Sequence, residues 1–180
     1  MTDFTEKKIL SKKIYKGRFL DIREDIVRLP NGNKSTREWI NHPGAVCMIP
    51  ILPDNRIALI RQYRYPVSDH MIEIPAGKLD RGENPLNCAK RELEEEIGFK
   101  GNKFTFLTHI HPAIGFANEK MWIYLVEELE KTKPKLDEDE FLEIFPIKLD
   151  IALKMIWESK ITDVKTIIGL LWLNKLKKLK

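Results

Sequence analysis

Asn84 and Gly98 bracket a helix whose polar side carries more acid than a free-standing helix favours. Asn84 can cap the N-terminus, Pro85 suits the first helical position, and Gly98 is a good stop. Leu86, Ala89, Leu93 and Ile97 recur at spacings of three and four, which makes one apolar stripe for a core. Opposite it, Glu92, Glu94, Glu95 and Glu96 place four carboxylates in five positions. At about 100° per residue, Glu92, Glu95 and Glu96 share one arc and Glu94 points elsewhere. Like charges one turn apart cost about 0.2–0.5 kcal/mol per pair, and the dipole opposes anions near a helix C-terminus. Lys90 and Arg91 offset this only in part. A solvated glutamate face is one reading. The other starts from the polar loop Lys78-Leu79-Asp80-Arg81, flanked by Gly77 and Gly82, with Glu83 just before Asn84. Folded back, that loop brings the carbonyl of Ala76 or Gly77 near the carboxylates. Oxygen donors with little nitrogen or sulfur suit a hard dication, Mg²⁺ or Mn²⁺, which would remove the repulsion.

The helix is set among strands. Ile14 to Leu29 is rich in β-branched and aromatic residues, Pro30-Asn31-Gly32-Asn33 reads as a turn, and Ser35 to Asn41 as the returning hairpin strand. Short apolar runs at Ala45–Leu52, Ile57–Ile60 and Met71–Ile74 read as buried strands, followed beyond the helix by Phe104–Ile110, Met121–Leu129 and Phe141–Ile147. Glu127 to Glu140 reads as an exposed acidic loop, and Asp150–Glu158 and Asp163 to about Lys178 as closing helices. The class expected is α+β (mixed α/β), with residues 1–42 as a separate N-terminal β element and 43–180 as the main domain.

Composition narrows the class further. A chain of 180 residues with 43 % hydrophobic and 32 % charged residues can bury its own core. Two cysteines build neither a disulfide framework nor a four-thiolate zinc site, and with no apolar leader or membrane-length run the expected setting is the cytoplasm. The net charge of +4 hints at an anionic partner, but Lys175, Lys177, Lys178 and Lys180 complement the dipole of a closing helix, so no nucleic acid is expected.

Gly77, Glu83 and Arg91-Glu92-Leu93-Glu94-Glu95-Glu96-Ile97-Gly98-Phe99 match all nine fixed positions of a 23-residue box. The chain therefore resembles the Nudix hydrolases. His42-Pro43-Gly44-Ala45-Val46, Arg61-Gln62-Tyr63-Arg64, Glu73-Ile74-Pro75-Ala76-Gly77-Lys78 and Gly115-Phe116-Ala117-Asn118-Glu119 resemble the ADP-ribose pyrophosphatase branch. That branch commonly has Ser-Pro-Gly where this chain has His111-Pro112-Ala113-Ile114-Gly115. The resemblance implies an α/β/α sandwich and metal-dependent hydrolysis of ADP-ribose to AMP and ribose 5-phosphate. The alternative is another nucleoside diphosphate derivative, a nucleotide sugar or dinucleotide. A binding-only module is disfavoured, since it need not keep four clashing carboxylates.

By the same resemblance Glu92, Glu96 and the Ala76 carbonyl are metal ligands, and Glu95 is a ligand or near-ligand. Arg91 orients the glutamates, and Glu83 ties the loop to the helix. The base comes from Asp137-Glu138-Asp139-Glu140, with Glu138 as base and Glu140 as a further ligand, or the two exchanged. Arg37, Arg61 and Arg64 are candidates to grip phosphate oxygens, because a guanidinium matches them bidentately. Glu119 is expected at the terminal ribose, and Tyr15 and Phe19 are candidate adenine-stacking rings. His109 and His111 lack a third ligand for zinc. The branch also implies a homodimer that exchanges the N-terminal element.

Overall fold

The computed structural model describes residues 2–136, 138 and 140–179. Three strands, β1 (Lys7–Lys16), β2 (Asp21–Arg28) and β3 (Lys34–Ile40), form an antiparallel meander. The β2–β3 hairpin turns through Pro30–Asn33, where Gly32 has φ +88°, as the Asn-Gly pair suggests. β1 begins at Lys7, well before Ile14, because its side chains are exposed along its whole length and leave no burial pattern in the sequence.

Next come β4 (Ala45–Pro50), β5 (Ile57–Arg64), a 3₁₀ turn, β6 (Asp69–Glu73) and β7 (Ala76–Lys78), then α1 (Pro85–Ile97). β8 (Phe99–Ile110), β9 (Met121–Lys131), β10 (Leu142–Ile147), α2 (Leu149–Trp157) and α3 (Val164–Leu179) complete the chain. The mixed sheet β7-β4-β9-β8 and the antiparallel sheet β10-β5-β6 form the middle of an α/β/α sandwich.

Alternation along β4 explains why that strand is wholly apolar. Val46 and Met48 pack with Cys88, Ala89, Leu93 and Ile97 of α1. Cys47 and Ile49 face the other way, toward Ala152, Ile156, Leu170 and Leu173 of α2 and α3. A strand covered on both faces reads as a continuous hydrophobic run. Truncating fully buried Leu93 to Ala would cost about 2–5 kcal/mol.

Two strands run longer than the sequence pattern suggests. β8 starts at Phe99, directly after the left-handed Gly98 that ends α1, and β9 runs on to Lys131. Polar cross-strand pairs hold this extension, Lys103 Nζ to Glu127 at 2.7 Å and Asn102 Nδ2 to Glu130 at 2.6 Å. Such pairs stabilise a solvent-facing ladder without leaving a hydrophobic signal. Trp157 is exposed at the end of α2.

Candidate active site

α1 delivers Glu92 and Glu96 of its acidic arc to a cavity of about 590 Å³, and Glu95 does not line it. Asn84 Oδ1 accepts from the Leu86 N–H at 2.9 Å, and Gly98 has φ +64° at the C-cap, so both ends of the helix are fixed. The preceding loop folds back as its glycines allow. A Cβ on Gly77 would lie 1.9 Å from Glu92 Cδ, so only glycine lets β7 approach the carboxylate this closely. The Ala76 N–H donates to Glu96 Oε2 at 3.1 Å.

Arg91 neutralises the outer part of the cluster. Its Nε and Nη2 donate to Glu83 at 3.1 and 2.9 Å, and its Nη1 donates to Glu92 at 2.8 Å and Glu95 at 2.9 Å. The guanidinium holds the Glu83 carboxyl down at about 2. Glu94, as expected, points elsewhere, with Oε1 3.7 Å from Lys100 Nζ. Glu96 is different: it is 5 % exposed, and burial, Glu140 and Glu92 push its carboxyl well above the ordinary value. Burial also raises Glu92, against the pull of Arg91.

Glu92, Glu96 and Glu140 line the same cavity. Among the described residues no three His, Cys, Asp or Glu side chains already close on one point in metal-binding geometry. Arg91 occupies one oxygen each of Glu92 and Glu95. A buried carboxylate beside two others, with a side-chain-free backbone strand against one of them, nevertheless fits a hard divalent cation.

Another part of the lining comes from β5. In β5 the even positions Ala58 and Ile60 pack on the α1 side, and Gln62 and Arg64 continue that face into the cavity. Arg64 donates through Nε and Nη2 to Glu73 at 2.6 and 2.9 Å, and Lys165 at the start of α3 pairs with the same carboxylate. Farther along, His42 Nε2 lies 3.6 Å from Glu119 Oε1. The Gly44 N–H donates to His42 Nδ1 at 3.0 Å, which puts the ring proton on Nε2, facing Glu119. Burial lowers the His42 pKa, and Glu119 partly offsets this. Phe19 lines the rim with Lys78 Nζ 4.4 Å from its ring centre.

The cavity thus gathers Ala76, Glu92, Glu96, Glu140, Arg64 and Glu119 from the sequence candidates. Arg61 is not among them. It shares the odd face of β5 and meets Glu143 on β10 at 3.3 Å, because successive side chains of a strand point to opposite faces. Arg37 sits on the exposed β3, pairs with Glu6 and lines neither this cavity nor its neighbour. Glu138 is exposed and does not line the cavity, and Asp137 and Asp139 lie outside the described residues. His109 and His111 meet edge to face, 5.7 Å apart, away from the cavity. Gln62, Glu73 and Lys165 had no assigned role from sequence. The Glu73 motif was visible, but its partner lies 92 positions away.

The description "NUDIX domain" matches residues 41–162. The chain belongs to the Nudix family. Residues 6–40, the β1–β3 meander, match a "Nucleoside diphosphate sugar hydrolase N-terminal domain". An "ADP-ribose pyrophosphatase" of Bacillus subtilis is 39 % identical over 176 residues, covering 97 % of this chain and 95 % of that one. A "Methanol dehydrogenase activator" of Bacillus methanolicus is 42 % identical over 173 residues, covering 95 % and 94 %. The fold is shared with a solved "ADP compounds hydrolase" at TM-score 0.86 and 22 % identity, covering 99 % of this chain and 97 % of that one. α1 and the loop before it are thus the Nudix box. Among the described residues no helix is long and apolar enough to cross a membrane.

Proposed function

We propose that this Nudix enzyme hydrolyses the pyrophosphate of ADP-ribose to AMP and ribose 5-phosphate with a divalent cation, Mg²⁺ or Mn²⁺. The observation that carries the reading is the meeting of buried Glu96 with Glu92, Glu140 and Arg64 in the lining of one cavity. The near-full-length similarity to a pyrophosphatase supports it.

Glu92, Glu96 and the Ala76 backbone would hold the cation, with Glu95 near it and Arg91 and Glu83 orienting the set. Bound there, a dication supplies Lewis-acid polarisation of phosphate oxygens and lowers the pKa of water. The residues themselves do the rest. Arg64, clamped by Glu73 through two of its nitrogens, presents its remaining guanidinium edge to a phosphate oxygen. Glu140 is the better-placed proton acceptor for the attacking water, since it lines the cavity and Glu138 does not. Glu119, held toward the cavity beside His42, would accept from a sugar hydroxyl. Arg37 and Arg61 could act only in an assembly or a closed form that brings them to the ligand.

A homodimer is proposed as well. β1 exposes Ile9, Leu10, Ile14 and Tyr15 on a strand whose outer edge is paired with no other strand among the described residues. Sedimentation equilibrium checks this, and a monomer that retains full turnover would contradict it. A second substrate reading is favoured by one feature: His111 to Gly115 replaces the branch's Ser-Pro-Gly, and Ile114 there is exposed. The test for both is product analysis with ADP-ribose and Mg²⁺ beside a panel of nucleotide sugars and dinucleotides. Release of AMP and ribose 5-phosphate at the highest kcat/KM in the panel is expected. ADP-ribose among the poor substrates would replace the first reading with the second.

A further inference from the structure

Lys165 is in an expensive place. It stands in the first turn of α3, where the helix dipole disfavours a cation, and it is 7 % exposed. Asp163 caps that helix, accepting from the Thr166 N–H at 3.0 Å, and its other oxygen lies 3.0 Å from Lys165 Nζ. Nζ also pairs with Glu73. Burial works against the charge, but Asp163 and Glu73 outweigh it and keep the pKa above the ordinary lysine value. Neutralising Glu73 does not require this arrangement, because Arg64 already grips that carboxylate through two nitrogens. An ammonium has three donors, and among the described residues oxygens of Glu73 and Asp163 account for two of them. Lys165 nevertheless lines the same cavity as Arg64 and the three glutamates.

We propose that Lys165 is a substrate-binding residue, whose third N–H takes a non-bridging phosphate oxygen of a nucleoside diphosphate beside the one held by Arg64. Glu73, shared by both cations, sets their spacing, and Asp163 fixes the ammonium from the far side. Buried salt bridges seldom justify themselves by stability, so a costly cation at a cavity wall points to a ligand. The proposal deepens the pyrophosphatase reading and rests on it for the ligand class.

The probe is α,β-methylene-ADP, which keeps both phosphates and resists cleavage, titrated calorimetrically with Mg²⁺. Lys165→Met preserves the stem and removes the charge. It should weaken binding about tenfold or more, as loss of a charge-assisted hydrogen bond does, and raise KM for ADP-ribose by a similar factor with kcat changing far less. Lys165→Arg should stay within about threefold of wild type, because it restores a cation that can donate to the same oxygen. Unchanged affinity in Lys165→Met, or equal loss in both variants, would overturn the proposal. If Lys165→Met fails to melt cooperatively, a crystal of the wild-type complex decides. A phosphate oxygen within about 3.2 Å of Nζ supports the assignment, and none within about 4 Å refutes it. Poor turnover of ADP-ribose with the affinity loss intact would remove the substrate reading alone.

Discussion

Replacing Glu96 by Gln should stabilise the metal-free protein while abolishing turnover. The side chain is 5 % exposed and sits one helical turn from Glu92, with Glu140 lining the same cavity. Two carboxylates about 6 Å apart repel by about 3 kcal/mol at an effective dielectric constant near 20. Arg91, 2.8 Å from Glu92, offsets much of that. A net gain of about 1–2 kcal/mol is expected, equivalent to about 2–8 °C in Tm for a chain of this size. The amide oxygen of Gln can still accept from the Ala76 N–H, so the loop stays anchored.

The sign of the pH dependence follows from the raised pKa. Between the unfolded value near 4.5 and the higher native value, the native state holds more protons, so stability falls as pH rises through that window. Wild type in EDTA should therefore gain stability on moving from pH 8 toward pH 5, and Glu96→Gln should gain less. Mg²⁺ at a hundred times its Kd should add about 2.7 kcal/mol to wild type and far less to the variant. Melting followed by circular dichroism, in EDTA and then in MgCl₂, reads all of this. A variant that melts below wild type in EDTA at pH 8, or keeps the full Mg²⁺ shift, would refute the reasoning.

Gly77→Ala should displace the Glu92 carboxylate, since the new Cβ would fall 1.9 Å from Glu92 Cδ. The side chain can swing away, so cooperative melting should survive while kcat/KM falls about tenfold or more, measurable in steady-state assays. Arg91→Ala leaves Glu83, Glu92 and Glu95 without their shared cation and should lower stability by about 1–3 kcal/mol in urea denaturation. Asp21, held at about 2 by its hydrogen bonds with Arg23, contributes stability above the ordinary carboxylate value that is lost as pH falls from about 4 to 2. Asp21→Asn should flatten that stretch of the acid-denaturation curve, and an unchanged curve would contradict the assignment.

Much of the site was legible because it is local. The box spans 23 residues, and the helix period alone puts Glu92, Glu95 and Glu96 on one arc away from the Leu93 stripe. The caps Asn84 and Gly98 were readable for the same reason. The choice among the arginines was not. Ile57 to Ile60 are all buried, so β5 shows no alternation from which to tell that Arg64 faces the cavity and Arg61 faces Glu143. β1 and the end of β9 were hidden for the opposite reason, since a ladder of exposed polar residues carries no hydrophobic period.

By itself the sequence determined which helix carries the carboxylates, where it starts and stops, and which family it serves. These depend on contacts within a turn or two, and spacing encodes them directly. Only the tertiary structure decided that Lys165 and Arg64 share Glu73 and that Glu140 joins Glu92 and Glu96. Each meeting depends on how the sheets and α3 pack, and packing is a sum of many small contacts that no spacing along the chain records.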